Sequence, residues 1–223
     1  KIILEKISNR QISGLHAALP CNTFALIGDH RRSVSEPRGL STLTPAQRVQ
    51  CDQGNILVDF GIKCLQTAFD HNISWTAEFP CYRGDPNSMP RRAYWPEKKD
   101  YATAEHFEEM KALLNKSKAK LIKFPGCAIG FKSQKYLTVA AWPDTTADVF
   151  MHLHGLECHH TTHAEQDAKE QEVYSPVMDD LIAEAHVQLQ HLLPDVDVGT
   201  LASMLQSSNN VMRALMDNGA TDN

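Results

Sequence analysis

What the sequence lacks narrows it first. No run of apolar residues approaches the ~20 positions that a bilayer-spanning helix requires. The first residues show no secretory pattern of basic, apolar and small segments. The six cysteines, at 21, 51, 64, 81, 127 and 158, form no CxxC pair and no close framework. That usage predicts reduced thiols in an intracellular setting, nuclear or cytoplasmic, and not a disulfide scaffold. No GxGxxG or other glycine-rich phosphate loop occurs, and there is no internal repeat or low-complexity tract. A membrane partner, a secreted disulfide knot and a repeat array are therefore not expected.

What is present is a chain of 223 residues, 42% hydrophobic, enough to bury a sizeable core as one large domain or two small ones. The net charge of −5 is unevenly placed. Residues 1–82 carry 8 basic and 7 acidic side chains, residues 83–135 carry 12 and 6, and residues 136–223 carry 2 and 14. The basic middle either follows a phosphate backbone or forms a solvated helix face plus loop, whereas the acidic end repels a polyanion. The expected division is an α/β unit over 1–145, then a His/Cys-containing segment with C-terminal helices over 146–223.

Periodicity gives the elements. "SGLHAAL" (13–19) is a strand-length apolar run that ends at Pro20. Residues 22–43 are polar, hold Gly28, Pro37 and Gly39, and read as a long loop, the kind that carries function. Thr44-Pro45 is a capping residue followed by proline at the first helical position. Val49, Ile56, Leu57, Phe60, Cys64, Leu65 and Ala68 then recur at helical spacing and predict a buried stripe to about Phe69. Gly54 and Gly61 weaken that helix and imply close packing against a neighbour. "ISWTAEF" (73–79) predicts a strand, 80–103 a loop, and 104–117 an amphipathic helix. "KLIKF" (120–124) and "YLTVAAW" (136–142) predict strands joined by a turn with Gly126 and Gly130, and two more helices are expected near 176–192 and 198–217. Strand, helix, strand, helix, strand, strand is an α/β layout.

Cys21 sits directly behind Pro20, at the mouth of the first strand. Such a thiol is either a small buried hydrophobe or a group presented to react. Pro20-Cys21 with Phe24 three residues on, and Glu78 followed by Phe79-Pro80 at the end of the next strand, resembles the two catalytic elements of the cytosine-C5 DNA methyltransferases. The match is closer to a divergent branch found in phages and protist retroelements. That branch reads Pro-Cys-x-Thr-Phe, Gly-Leu, Gly-Asn-x-Leu and Trp-x-x-Glu-x-Pro. Here these are Pro20, Cys21, Thr23 and Phe24; Gly39 and Leu40; Gly54, Asn55 and Leu57; and Trp75, Glu78 and Pro80. Cys127, Gly130, Lys135, Thr138, Cys158, His160 and Tyr174 continue the order. The chain departs from the family pattern at Leu19, at Phe79, and at Gln134-Lys135-Tyr136-Leu137-Thr138, which lacks the family's two arginines.

The resemblance implies a partial Rossmann-like methyltransferase sheet with flanking helices and a helical C-terminal tail. It implies Cys21 as nucleophile on cytosine C6, Glu78 as the acid acting at N3, Pro20 as part of the catalytic loop, S-adenosylmethionine as methyl donor and DNA as partner. The cofactor-binding strand and its glycine loop should precede residue 14; the chain opens on Lys1, not Met, so a missing start is expected. The implied function is that of an incomplete or degenerate methyltransferase-like protein. The alternative is a non-catalytic nucleic-acid-binding or assembly remnant of a mobile-element polyprotein. A thiol acts as thiolate, so positive charge should help Cys21, and Arg31 and Arg32 share its loop. A duplex base must be flipped out before it is attacked, which calls for phosphate contacts. Arg31, Arg32, Arg91, Arg92, Lys132 and Lys135 are the candidates. Cys158, His160 and His163 have the donor types for zinc, with Cys127 as a distant fourth ligand; the alternative is a polar helix end with solvated histidines.

Overall fold

The computed structural model describes residues 2–21, 23–24, 30–87, 93–131, 135–160 and 175–187. Helix α1 (Ile2–Ser8) precedes strand β1 (Gly14–Ala18). After the polar loop come α2 (Pro45–Asp70) and β2 (Ser74–Pro80). Then follow α3 (Glu108–Ser117), β3 (Lys120–Pro125) and β4 (Tyr136–Trp142). Helices α4 (Asp144–Met151) and α5 (Pro176–Val187) end the described chain.

The four strands form one mixed sheet in the order β1-β2-β4-β3. β1 and β2 are parallel, while β4 runs antiparallel to both β2 and β3. The C-terminal ends of β1, β2 and β3 therefore share one edge of the sheet with the start of β4. Alternation along the strands separates two faces. Trp75, Ala77, Phe79 and Ala140 face the helical layer of α2 and α3, in a core that also holds Ile7 of α1. Ile122, Phe124, Leu137, Val139 and Ala141 face α4 and α5 through Phe150, Met178 and Leu181. This is a mixed α/β architecture, helices on both faces of a small sheet. Among the described residues, no helix is long and apolar enough to cross a membrane.

Helix α2 starts as its sequence dictates. Thr44 Oγ1 accepts from the Gln47 amide at 3.3 Å, and the Gln47 side chain accepts from the Thr44 amide at 3.0 Å, a complete capping box behind Pro45. Its buried stripe matches the expectation at Cys64, Leu65 and Ala68 but is phased differently in the earlier turns. Cys51, Gly54, Val58, Ile62, Cys64, Leu65 and Ala68 point inward, while Val49, Ile56 and Phe60 are exposed. The first half of α2 packs against the polar loop instead of the sheet, so its inward residues there are small. The amphipathic 104–117 segment is also divided. A single 3-10 turn (Ala104–His106) is followed by Phe107 in extended geometry, and α3 begins only at Glu108. The 176–192 helix is described to Val187; the segment expected at 198–217 lies outside the described residues.

Candidate functional site

Parallel pairing fixes the relation between the two candidate catalytic residues. Ala18, the last residue of β1, is registered with Glu78 of β2, and the Leu19 amide donates to the Glu78 carbonyl at 2.9 Å. Cys21 lies three residues beyond Ala18, so at most about 11 Å of extended chain separates it from that level. Both residues leave adjacent parallel strands at the same edge of the sheet. Pro20 and Cys21 are half-buried, and Glu78 is buried among the residues facing α4 and α5. Burial pushes the Cys64 and Cys81 thiols up to about 11, which keeps those two protonated and inert at neutral pH. All six cysteines are free thiols.

The loop that carries Cys21 is held by Arg32. Its side chain is almost wholly buried, and each of its five N–H groups has an acceptor. Nε and Nη2 donate to Thr23 Oγ1 at 3.2 and 2.9 Å. Nη2 also donates to the Cys51 carbonyl at 2.9 Å, and Nη1 donates to the Pro37 carbonyl at 2.8 Å and to Asn55 Oδ1 at 2.7 Å. The guanidinium lies 4.1 Å from the Phe24 ring centre. Burial lowers its pKa to about 10, still a cation at neutral pH. A Cβ on Gly54 would meet Thr23 Oγ1 at 2.9 Å and Arg32 Nη2 at 3.1 Å. Thr23, Phe24, Gly54 and Asn55, widely separated in sequence, thus converge on one cation. The Phe24 amide then closes a turn onto the Cys21 carbonyl at 3.1 Å.

This corrects the expectation for Arg32, which is not a phosphate contact: every donor it has is engaged inside the protein. Arg31 is half-buried and donates to Gln50 Oε1. Lys135 is half-buried, and its carbonyl accepts from the Gly126 amide at 2.6 Å. Arg91, Arg92 and Lys132 lie outside the described residues. Of the five lysines between 111 and 123, Lys118 is exposed and the other four are paired or buried. Lys111 pairs with Glu108, Lys116 with Asp70, and Lys120 with Asp144 and Asp148, while Lys123 is buried.

A second group gathers at the end of β3. Gly126 allows a tight turn, because a Cβ there would stand 2.5 Å from the Phe131 ring and 2.9 Å from the Lys135 carbonyl oxygen. Gly130 closes it at φ +90°, with its amide donating to the Cys127 carbonyl at 3.3 Å. Cys127, Cys158 and His160 meet there, their sulfur and ring-nitrogen atoms all within 4.8 Å of one another. Cys158 Sγ and His160 Nδ1 are 3.6 Å apart. Burial first, then the neighbouring Cys158, pushes the Cys127 thiol up to about 11, against the pull of the backbone amides of Cys127 and Ala128. Cys127, expected only as a distant ligand, is a full member of the group; His163 lies outside the described residues.

Comparison with known proteins gives no match: no family model, curated protein or solved structure matches this chain.

Sequence reasoning missed what Arg32 does, because its acceptors are divided between its own loop (Thr23, Pro37) and helix α2 (Cys51, Asn55). Gly54-Asn55 inside a helix was the available signal: a glycine that costs helix stability marks a close approach. It also missed a buried pair of histidines on the other face of the sheet. Thr76 Oγ1 lies 2.8 Å from His16 Nδ1 and 3.2 Å from His186 Nε2, and Ser74 Oγ lies 3.2 Å from His186 Nδ1.

Proposed function

We propose that the chain is part of a DNA (cytosine-5)-methyltransferase-like protein, with Cys21 as nucleophile and Glu78 as the partner carboxylic acid. The observation that carries this reading is the parallel register of β1 and β2, which sends the thiol loop and the carboxylate to one sheet edge. Ligands of open α/β sheets bind beyond the carboxyl ends of strands; Cys21 stands past the end of β1, and Glu78 in the last stretch of pairing before the end of β2. The three mutually parallel strands, with a helical crossover between β1 and β2, support descent from the second half of a doubly wound sheet. The antiparallel β4 between β2 and β3 departs from an all-parallel order.

The chemistry assigned to these residues is addition. The Cys21 thiolate forms a bond to C6 of an extrahelical cytosine, the C5–C6 π pair moves into the ring, and Glu78 gives its proton to N3. C5 is then nucleophilic. S-adenosylmethionine would supply a methyl group there, but the described residues do not fit it. Among them β1 is preceded by α1 and the link 9–13, with no strand and glycine turn to hold an adenosyl group.

The test is therefore independent of the donor. In the adduct C5 takes a deuteron from solvent and gives up its original proton. N3 then returns its proton to Glu78 as the thiolate leaves C6 and the C5–C6 double bond re-forms, so the hydrogen at C5 is exchanged with solvent. The full chain is incubated in D2O with an oligonucleotide duplex that holds one mismatched cytosine, which is easily flipped. Mass spectrometry then reads deuterium at C5. Deuterium is expected with the wild-type chain, none with Cys21→Ser, and a rate lower by at least ~100-fold with Glu78→Gln, the usual scale of general acid catalysis. No exchange above the protein-free blank overturns the reading and leaves the non-catalytic remnant in its place. Exchange that survives Cys21→Ser overturns it as well.

A further inference from the structure

We infer that Cys127, Cys158 and His160 bind a zinc ion that ties the β3–β4 turn to the segment after α4. The first argument is distance. A tetrahedral zinc with Zn–S of ~2.3 Å and Zn–N of ~2.0–2.1 Å separates a sulfur from a nitrogen by about 3.6 Å and two sulfurs by about 3.8 Å. Cys158 Sγ and His160 Nδ1 already stand 3.6 Å apart, and the third atom, Cys127 Sγ, is within 4.8 Å of both. An adjustment of about 1 Å or less in one half-buried side chain completes three vertices of the polyhedron.

Preorganisation is the second argument. A ligand set is useful only if the elements that present it are fixed before the ion arrives. The Cys158 amide donates to Tyr136 Oη at 3.4 Å, at the first residue of β4. Gly155 donates its amide to the Lys123 carbonyl at 3.0 Å, and the Lys123 amide donates to His154 Nδ1 at 3.2 Å. These bonds dock the 154–158 segment along the outer side of β3, facing the Cys127 turn.

Ligand chemistry selects the ion. Two thiolates and one imidazole suit zinc, and hard oxygen-seeking cations such as magnesium or calcium gain nothing from them. Binding displaces the two thiol protons, so the complex carries the charge of one Zn2+ less two. The site lies across the sheet from Cys21, three strand spacings of ~4.8 Å or about 14 Å away, too far for the ion to act on a base held by that thiol. Its role is to hold the edge strand, and it stands or falls independently of the methyltransferase reading.

The full chain, purified under reducing conditions and stripped with a chelator, is titrated with Co2+ as a spectroscopic stand-in and then with Zn2+. One equivalent of cobalt should develop thiolate charge-transfer and tetrahedral d–d bands, which zinc then bleaches. Cys127→Ser and Cys158→Ser should each lose the charge-transfer intensity. His160 is exposed, so His160→Ala leaves the fold intact; it should weaken zinc by more than ~10-fold, the least expected for a ligand when even its supporting contacts cost that much. Cys64→Ser, remote from the group, should bind as wild type does. Absence of tetrahedral bands in the reduced wild-type chain overturns the inference. So does unchanged zinc affinity in His160→Ala, or a Cys127–Cys158 disulfide that forms in place of metal uptake.

Discussion

Arg32 shows how one residue can hold a long loop in place. A buried guanidinium is tolerated because five hydrogen bonds to four acceptor atoms and an aromatic face replace its water. Lysine keeps the charge but has only three donors and no planar fork. Arg32→Lys therefore loses at least two of the five bonds, at ~1.5–3 kcal/mol for each charge-assisted bond. The expected loss is about 3 kcal/mol or more, read from urea unfolding, with the Cys21 loop made more accessible to thiol-labelling reagents. Gly54 gives a sharper test because two effects oppose each other. In an exposed helix interior Gly→Ala gains about 1 kcal/mol. At position 54 the new methyl group would press on Thr23 and Arg32, and overpacking costs ~1–3 kcal/mol. Gly54→Ala should lower the urea midpoint; a higher midpoint would mean that the loop is not pinned to α2.

At the scale of elements, α5 is docked on the sheet by titratable groups. His186 is buried against Ser74 and Thr76, where burial lowers its pKa to about 4. His16 is lowered to about 3, chiefly by burial and then by His186. In the unfolded chain both titrate near ~6.5. Above that pH both states are neutral and the packing contributes in full. As pH falls from 6.5 towards 4, the unfolded chain takes up protons that the folded chain refuses. Each histidine then removes about 1.4 kcal/mol of stability per pH unit. His106, lowered to about 4 mainly by burial, adds to the slope. Thermal unfolding followed between pH 7 and 4 should show this decline, and His186→Asn should make it shallower; an unchanged slope would place His186 in solvent. No periodicity in the sequence announces this contact, because Thr76 and His186 are 110 positions apart. The Thr44-Pro45 cap and the strands at 73–79 and 136–142 were legible because their causes are local. The phase of the first half of α2 was not, because Arg32 and its partners, a tertiary arrangement, decide which side of the helix faces inward there. Helix α4 was missed for a simpler reason: eight residues behind Pro143 give too short a stretch for a helical period to register.

For the molecule as a whole, the two edges of the sheet differ. β3 is covered on its outer side at Lys123 by His154 and Gly155, which accept from and donate to its backbone. β1 pairs only with β2 among the described strands. An edge without partners opens at low cost, whereas a central strand exchanges its amides only when the sheet itself parts. Native-state hydrogen exchange should therefore rank β2 and β4 as most protected, β3 next and β1 last, with the extremes about 2 kcal/mol or more apart in opening free energy. The ranking bears on the candidate site, since Cys21 hangs from the least protected strand and Glu78 from one of the most protected. A thiol on a yielding strand beside a carboxylate on a rigid one allows the loop to move while the acid stays fixed. If the C-terminal end of β1 proves as protected as β2, that division of roles is lost, and some element outside the described residues must be covering its edge.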